Sequence, residues 1–419
     1  MINIQKINDK KFKSIYFSFN YTINANKKEM TESAILASIM SKSSRKYNSQ
    51  KQIEKYLGNL YNTLFDVNVE KIGDLYNIEF KLECINKKYL PDNIDVVSDA
   101  LKFLYDMIYD QSIENGRFDE NLVNREKEYI KDKIKEQKDE KLKYGILKME
   151  QILSKDEPFA TSVFGDENQI DKITSNDIYN RYINVLNDSC INILISGNLD
   201  GYDNIEEIVK NIFNEKINSN VNAKDLVYDK HIDDSNKKDI NETYETQQTT
   251  QSVITFGMRI RNSTTDDFFA LNVYNAILGS TPSSKLFQNF REKESLAYTV
   301  RSRYYRFKSI IIIYAGIQKK NYEKAKEVVE KQIKDMEDGN ITDIEFNAAK
   351  DSLVSDLVEW NDSKMSLAKM LFVNAFTNTN YTLNEMIEKI QKVSLQDVIN
   401  VAKKITLEEI YLLGGEADV

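Results

Sequence analysis

The sequence predicts a duplicated α+β fold, two similar domains joined by a polar linker. Three observations predict it. At 419 residues the chain exceeds one ordinary domain. A polar, apolar-poor stretch at 214–239 lies near its middle, as a linker would. The order of strand-like and helix-like patterns before that stretch recurs after it. The implied boundaries are an amino-terminal domain 1–213, a linker 214–239 and a carboxy-terminal domain 240–419.

In the first half, Phe17, Phe19, Tyr21 and Ile23 alternate within Phe12–Ile23, the period of a half-buried strand. Asn26 with Glu29 three residues on has the spacing of a capping box and opens a helix to about Ser41. Ile53, Tyr56, Leu57, Leu60 and Tyr61 share one stripe of a second helix, Ser49–Leu64. Phe65, Val67 and Val69, then Tyr76, Ile78, Phe80 and Leu82, alternate as a strand pair bent at 71–74. A helix over Asn93–Tyr109 follows, then a charge-laced helix from Asp119 to about Leu153. Glu126, Glu128, Glu136 and Glu140 on that helix read as a solvated face.

The second half repeats the pattern. Ile254, Phe256, Met258 and Ile260 alternate like the opening strand, and a helix over Asp266–Ile277 follows. Next come a helix-then-strand unit over Ser284–Arg303, an apolar strand Ile310–Ile317 and a helix Tyr322–Met336. The closing segments match best: Ile173-Thr174-Ser175-Asn176-Asp177-Ile178 recurs as Val393-Ser394-Leu395-Gln396-Asp397-Val398. Each leads through a helix to a buried strand ending in glycine, Ile191–Gly197 and Glu409–Gly414.

Composition narrows the function. A net charge of −9 and a pI near 5.1 argue against a nucleic-acid partner. The longest apolar run, Ile310–Ile317, is too short to span a bilayer, and no secretion signal is evident at the amino end. A cytoplasmic protein without membrane contact is the expectation. Cys84 and Cys190 read as two buried thiols rather than a disulfide framework, although pairing stays open. The single histidine, His231, falls in the polar linker and reads as a solvated residue. No Gly-x-Ser-x-Gly elbow, phosphate loop or dinucleotide fingerprint occurs, and one linker histidine cannot serve a Ser-His triad.

The segment from Ser283-Ser284-Lys285-Leu286-Phe287 through Arg291-Glu292-Lys293 to Leu296-Ala297-Tyr298 carries a specific likeness. It closely resembles the second-domain signature of the pitrilysin/insulinase peptidases, which include the mitochondrial-processing type. Phe164-Gly165, Ile173, Asp177, Tyr182 and Asn198 look like that family's first-domain ending. The arginine–tyrosine segment is also similar to that of a bacterial subfamily associated with 5-aminopentanol modification of elongation factor P. The resemblance implies two pitrilysin-like α/β sandwich domains. It also implies that Arg291 and Tyr298, seven residues apart, bind substrate backbone and stabilise a tetrahedral intermediate at a zinc site elsewhere. A guanidinium fork and a phenol suit that work. The preceding loop, Gly279-Ser280-Thr281-Pro282-Ser283, matches the family's glycine-rich gating loop in place, but holds one glycine and a proline.

Active relatives bind zinc through His-x-x-Glu-His and a distal glutamate. Here the corresponding helix reads Ala34-Ile35-Leu36-Ala37-Ser38-Ile39-Met40, with no carboxylate or imidazole after Glu32. The chain is therefore expected to hold no metal and to be no self-sufficient enzyme. The resemblance implies a zinc-less subunit that pairs with a zinc-bearing relative as a heterodimer acting on peptides. The alternatives are a scaffold protein of the same fold and a homodimer that captures peptides without cutting them.

Overall fold

The computed structural model describes residues 3–219, 221–223, 226, 240–247, 249 and 251–415, so His231 and most of the expected linker lie outside the described residues. In chain order the first elements are β1 (Asn3–Asn8), β2 (Ser14–Asn24), α1 (Lys27–Lys42), α2 (Gln50–Asn59), β3 (Leu64–Ile72), β4 (Leu75–Ile85) and α3 (Val97–Tyr109). A short hairpin, β5 (Ile113–Glu114) and β6 (Arg117–Phe118), leads to α4 (Glu120–Asp139), α5 (Lys141–Ser154), α6 (Glu167–Ile170), α7 (Ser175–Asp188), β7 (Cys190–Gly197) and α8 (Ile205–Phe213). Then come β8 (Asn241–Gln247), β9 (Ser252–Ile260), α9 (Phe268–Asn275), β10 (Ala297–Tyr305), β11 (Ile310–Ile317) and α10 (Tyr322–Glu337). The chain closes with α11 (Asp343–Asn361), α12 (Lys364–Thr377), α13 (Leu383–Lys392), α14 (Leu395–Ala402) and β12 (Ile405–Gly415).

Two compact units form. The first takes Met1–Lys135, Thr161–Val227 and Trp360–Asn380. Its sheet runs β1-β7-β2-β4-β3, with β1 and β7 parallel and the other pairs antiparallel. The alternation along β2 sorts two faces. Phe17, Phe19 and Tyr21 join Ile78, Phe80 and Leu82 of β4 in a core closed by Ile35, Leu36 and Ile39 of α1 and by Phe103 and Leu104 of α3. Ser18, Asn20 and Thr22 are buried on the other face, where α12 packs along β7, β2 and β1. That face is hydrogen-bonded rather than oily: Asn77 Nδ2 donates to Asn20 Oδ1 at 2.9 Å and Ser196 Oγ to the Lys364 carbonyl at 2.7 Å.

The second unit takes Glu136–Ala160, Tyr228–Glu359 and Tyr381–Val419. Its sheet, β8-β12-β9-β11-β10, repeats the first strand for strand, with β8 and β12 again the parallel pair. This is the duplication that the sequence order predicts. Ile254, Phe256 and Met258 of β9 face Leu271 and Tyr274 of α9, Val329 of α10 and Val398 of α14. The opposite face is covered by α5, whose Tyr144, Met149 and Leu153 pack on Val253, Ile310, Ile312, Tyr411 and Leu413.

Each sheet thus takes the helix on its second face from the other half of the chain: α12 in the first unit, α5 in the second. The units are accordingly not coextensive with 1–213 and 240–419. The single helix expected over Asp119–Leu153 is two, because Glu140 leaves helical geometry at φ −78, ψ 88. The break separates two duties, since Val123, Ile130 and Ile134 of α4 join the first core while α5 serves the second sheet. The second expected helix stops at Asn59 rather than Leu64, because Tyr61 and Asn62 turn left-handed at φ 55 and 56 and start β3. β1 has no counterpart among the sequence expectations, since six residues at a sheet edge are defined by pairing with β7.

The recurring hexapeptide is a repeated capping box. Thr174 accepts from the Asp177 N–H, and Ser394 accepts from the Asp397 N–H, both at 3.2 Å, while each aspartate returns a bond to its cap. Asn26 and Glu29 close the same box on α1. Cys84 and Cys190 are both buried and form no disulfide, which settles the pairing left open by the sequence.

Candidate functional site

The segment bearing the expected site belongs to the second unit. α9 continues into a π-helical turn over Ala276–Ser280, and a second π-helical stretch spans Phe287–Lys293. Leu286 and Phe290 anchor the latter in the core. Lys285, 5% exposed, donates to the Asn340 carbonyl at 2.7 Å and to Glu345 Oε1 at 2.9 Å. Burial opposes ionisation of Glu345, but the Thr342 N–H and Lys285 hold its carboxyl below the usual value. Lys285 and Leu286 are therefore framework, and Arg291 stands one residue beyond the Phe290 anchor.

The backbone then turns sharply. The Arg291 carbonyl accepts from the Ser295 N–H at 3.1 Å, the Phe290 carbonyl from the Leu296 N–H at 3.0 Å, and Ser295 is left-handed at φ 52. That turn brings the two expected residues together. Arg291 Cζ lies 4.9 Å from the centre of the Tyr298 ring and 4.6 Å from that of Phe287. A guanidinium held between two rings is oriented without losing its donors. Its Nε lies 3.3 Å from Glu292 Oε1. Tyr298 is 80% exposed, and among the described residues its hydroxyl has no partner. The arrangement offers a carbonyl or oxyanion a fork of cationic donors and a phenolic O–H.

Gly279 to Ser283 is closely packed on its amino-terminal side. A Cβ at Gly279 would stand 2.8 Å from both Leu286 Cδ1 and Ser302 Oγ. Thr281 Oγ1 donates to the Ala276 carbonyl at 3.1 Å, while Pro282 and Ser283 are more open.

In the first unit, α1 occupies the place where the resemblance puts a zinc motif. All of Met30–Met40 is buried. Glu32 lies 3.3 Å from Lys28, and its carboxyl is raised chiefly by burial. The expected solvated face of the next charged helix has one exception. Glu126 is 1% exposed and takes hydrogen bonds from Ser38 Oγ at 2.7 Å, Lys42 Nζ at 2.6 Å and Arg125 Nε at 2.9 Å. Burial alone would raise its pKa, but these donors hold it below the usual value. Its negative charge is already neutralised by lysine and arginine, and among the described residues no imidazole stands beside it, so these residues do not fit a zinc ion. Among the described residues no group of three His, Cys, Asp or Glu is placed to hold a metal. Sequence reading missed Glu126 because charge periodicity does not show which acid of a run faces a core.

A family model described as the peptidase M16 inactive domain matches residues 172–353. A "Probable inactive metalloprotease YmfF" of Bacillus subtilis is 26% identical over 98% of this chain and 95% of its own length. A conserved protein from Enterococcus faecalis has the same fold, with TM-score 0.87 and 24% identity over 99% of this chain and 97% of that one. A peptidase M16 inactive domain from Pseudomonas fluorescens follows with TM-score 0.76 and 15% identity, over 98% of this chain and 95% of that one. No helix among the described residues is long and apolar enough to cross a membrane. With its duplicated sheets and without a zinc-ligand set on α1, the chain is similar to inactive-type homologues of the M16, or pitrilysin/insulinase, peptidases.

Proposed function

We propose that this chain is the zinc-less subunit of a two-subunit, cytoplasmic peptidase and supplies Arg291 and Tyr298 to peptide bound at a partner's zinc site. The observation that carries the reading is the pairing of an exposed, unpartnered Tyr298 hydroxyl with a ring-clamped Arg291 guanidinium. A lone structural tyrosine would bury its ring, whereas this one leaves the ring and its donor open to a ligand. In this reading the arginine orients a substrate carbonyl and the phenol donates to the oxyanion as it forms. Zinc and its water belong to the partner. The loop Gly279–Ser283 borders the arriving peptide as a gate, opening at Pro282 and Ser283 while Gly279 stays packed.

The test is a pull-down of the tagged chain from its native cells, with metal analysis and mass spectrometry of what co-elutes. A stoichiometric partner bearing His-x-x-Glu-His and about one zinc is the expected result. In the reconstituted pair, Arg291→Ala should lower peptide turnover at least tenfold, about 1.4 kcal/mol of transition-state stabilisation. Unchanged turnover refutes the role in trans, and a zinc-free protein recovered alone returns the chain to the scaffold or peptide-capture readings.

A further inference from the structure

We propose that Arg301 and Arg303 of β10, with Tyr314 of β11, form a recognition site for an extended peptide carrying acidic side chains two residues apart. This rests on the reading that Arg291 and Tyr298 meet a peptide, and it names the kind of peptide. β10 is the terminal strand of its sheet, and Arg301 follows Tyr298 by three residues on it. Val300 and Ser302 turn inward and are buried, so Arg301 and Arg303 share the opposite face, the one on which Tyr305 packs beside α5. The register places Arg301 opposite Tyr314 and Arg303 opposite Ile312.

Both arginines are exposed, and the described residues give neither a carboxylate partner. Arg303 only rests its guanidinium 4.8 Å over the Tyr305 ring. The Tyr314 hydroxyl has no partner either. Two strands in, the same sheet shows what this chain does elsewhere: Arg259 of β9 and Arg261 just past its end are both paired with Glu408. In a protein with 66 acids to 57 Lys and Arg, two adjacent unpaired arginines on one strand face stand out. Side chains at i and i+2 of a strand are about 6.8 Å apart, the same spacing that an extended ligand gives its own i and i+2 carboxylates. Guanidinium forks match carboxylates with two parallel bonds each, and Tyr314 adds a donor beside Arg301.

The experiment titrates the full-length chain into a fluorescein-labelled peptide of alternating Glu and Thr and into its Gln–Thr counterpart of equal length, read by anisotropy. The expected result is at least about tenfold tighter binding of the acidic peptide, a preference that weakens with salt and vanishes in R301Q/R303Q. Equal affinities for the two peptides overturn the proposal, as does absence of binding by either. A double variant that self-associates while keeping the preference also overturns it, because the arginines then only guard a sheet edge. Failure of the trans-acting role reads out separately, in turnover by the reconstituted Arg291→Ala pair, which this binding measurement does not involve.

Discussion

Gly257→Ala should loosen α5 from the second sheet. Gly257 lies mid-strand in β9, between Ile312 of β11 and Glu409 of β12. A Cβ there would collide with Met149 Sδ and lie 3.0 and 3.1 Å from the two Leu153 methyls. Met149 is fully buried, so in a close-packed interior its sulfur and the Leu153 methyls yield only by displacing their neighbours or the helix that carries them. The helix cannot shift freely either, because Gly145 lets it approach to where its own Cβ would stand 2.8 Å from Val253 Cγ1. Overpacking of this kind costs about 1–3 kcal/mol, which in a unit of this size lowers the melting temperature by about 2–12 °C. The assay is calorimetry combined with hydrogen exchange of the α5 and β9 amides, in Gly257→Ala, Met149→Ala and the double variant. Met149→Ala alone leaves a cavity and costs about 2–5 kcal/mol. In the double variant the new methyl enters that cavity, so the loss should fall short of the sum by about 0.5–3 kcal/mol. A neutral Gly257→Ala, or strict additivity, would mean that α5 does not press on Gly257 as described.

Other outcomes follow from single side chains. Lys285→Met should destabilise the second unit by about 1–3 kcal/mol by leaving Glu345 without its cation, measured by denaturant unfolding at neutral pH. Glu345 titrates below its ordinary value when folded, so its contribution is present above the unfolded pKa near 4.5 and is lost as pH falls through the folded one. The acid limb of stability should therefore flatten in Lys285→Met, and an unchanged limb would show that another group controls it. Cys84 and Cys190 should resist a thiol reagent until the chain unfolds, since both are buried and burial pushes the Cys84 thiol up; rapid labelling of the native protein would contradict this. Tyr298→Phe should move stability by no more than about 0.5 kcal/mol, its ring being exposed, yet slow the reconstituted pair. A clear loss of stability would make Tyr298 structural.

The signals that survived from sequence to structure are local ones. Alternation in β2, β4 and β9, the apolar run of β11, the capping box at Asn26 and the hexapeptide that recurs around Thr174 and Ser394 depend on neighbours along the chain. Short-range periodicity and hydrogen bonding determine them, so the sequence alone determined the duplication, its order and the lack of a histidine pair for zinc. What it could not determine was which sheet each helix covers. Nothing in the local pattern of α5 or α12 names the sheet it covers, and only close contacts distant in sequence, Gly145 on Val253 and Ser196 on Lys364, assign them to the units they complete. Burial of Glu126, exposure of Tyr298 and the stacking of Arg291 were likewise decided by tertiary packing. A residue type states which bonds it can make, but a desolvated or unpartnered group exists only once the fold has placed every other group around it.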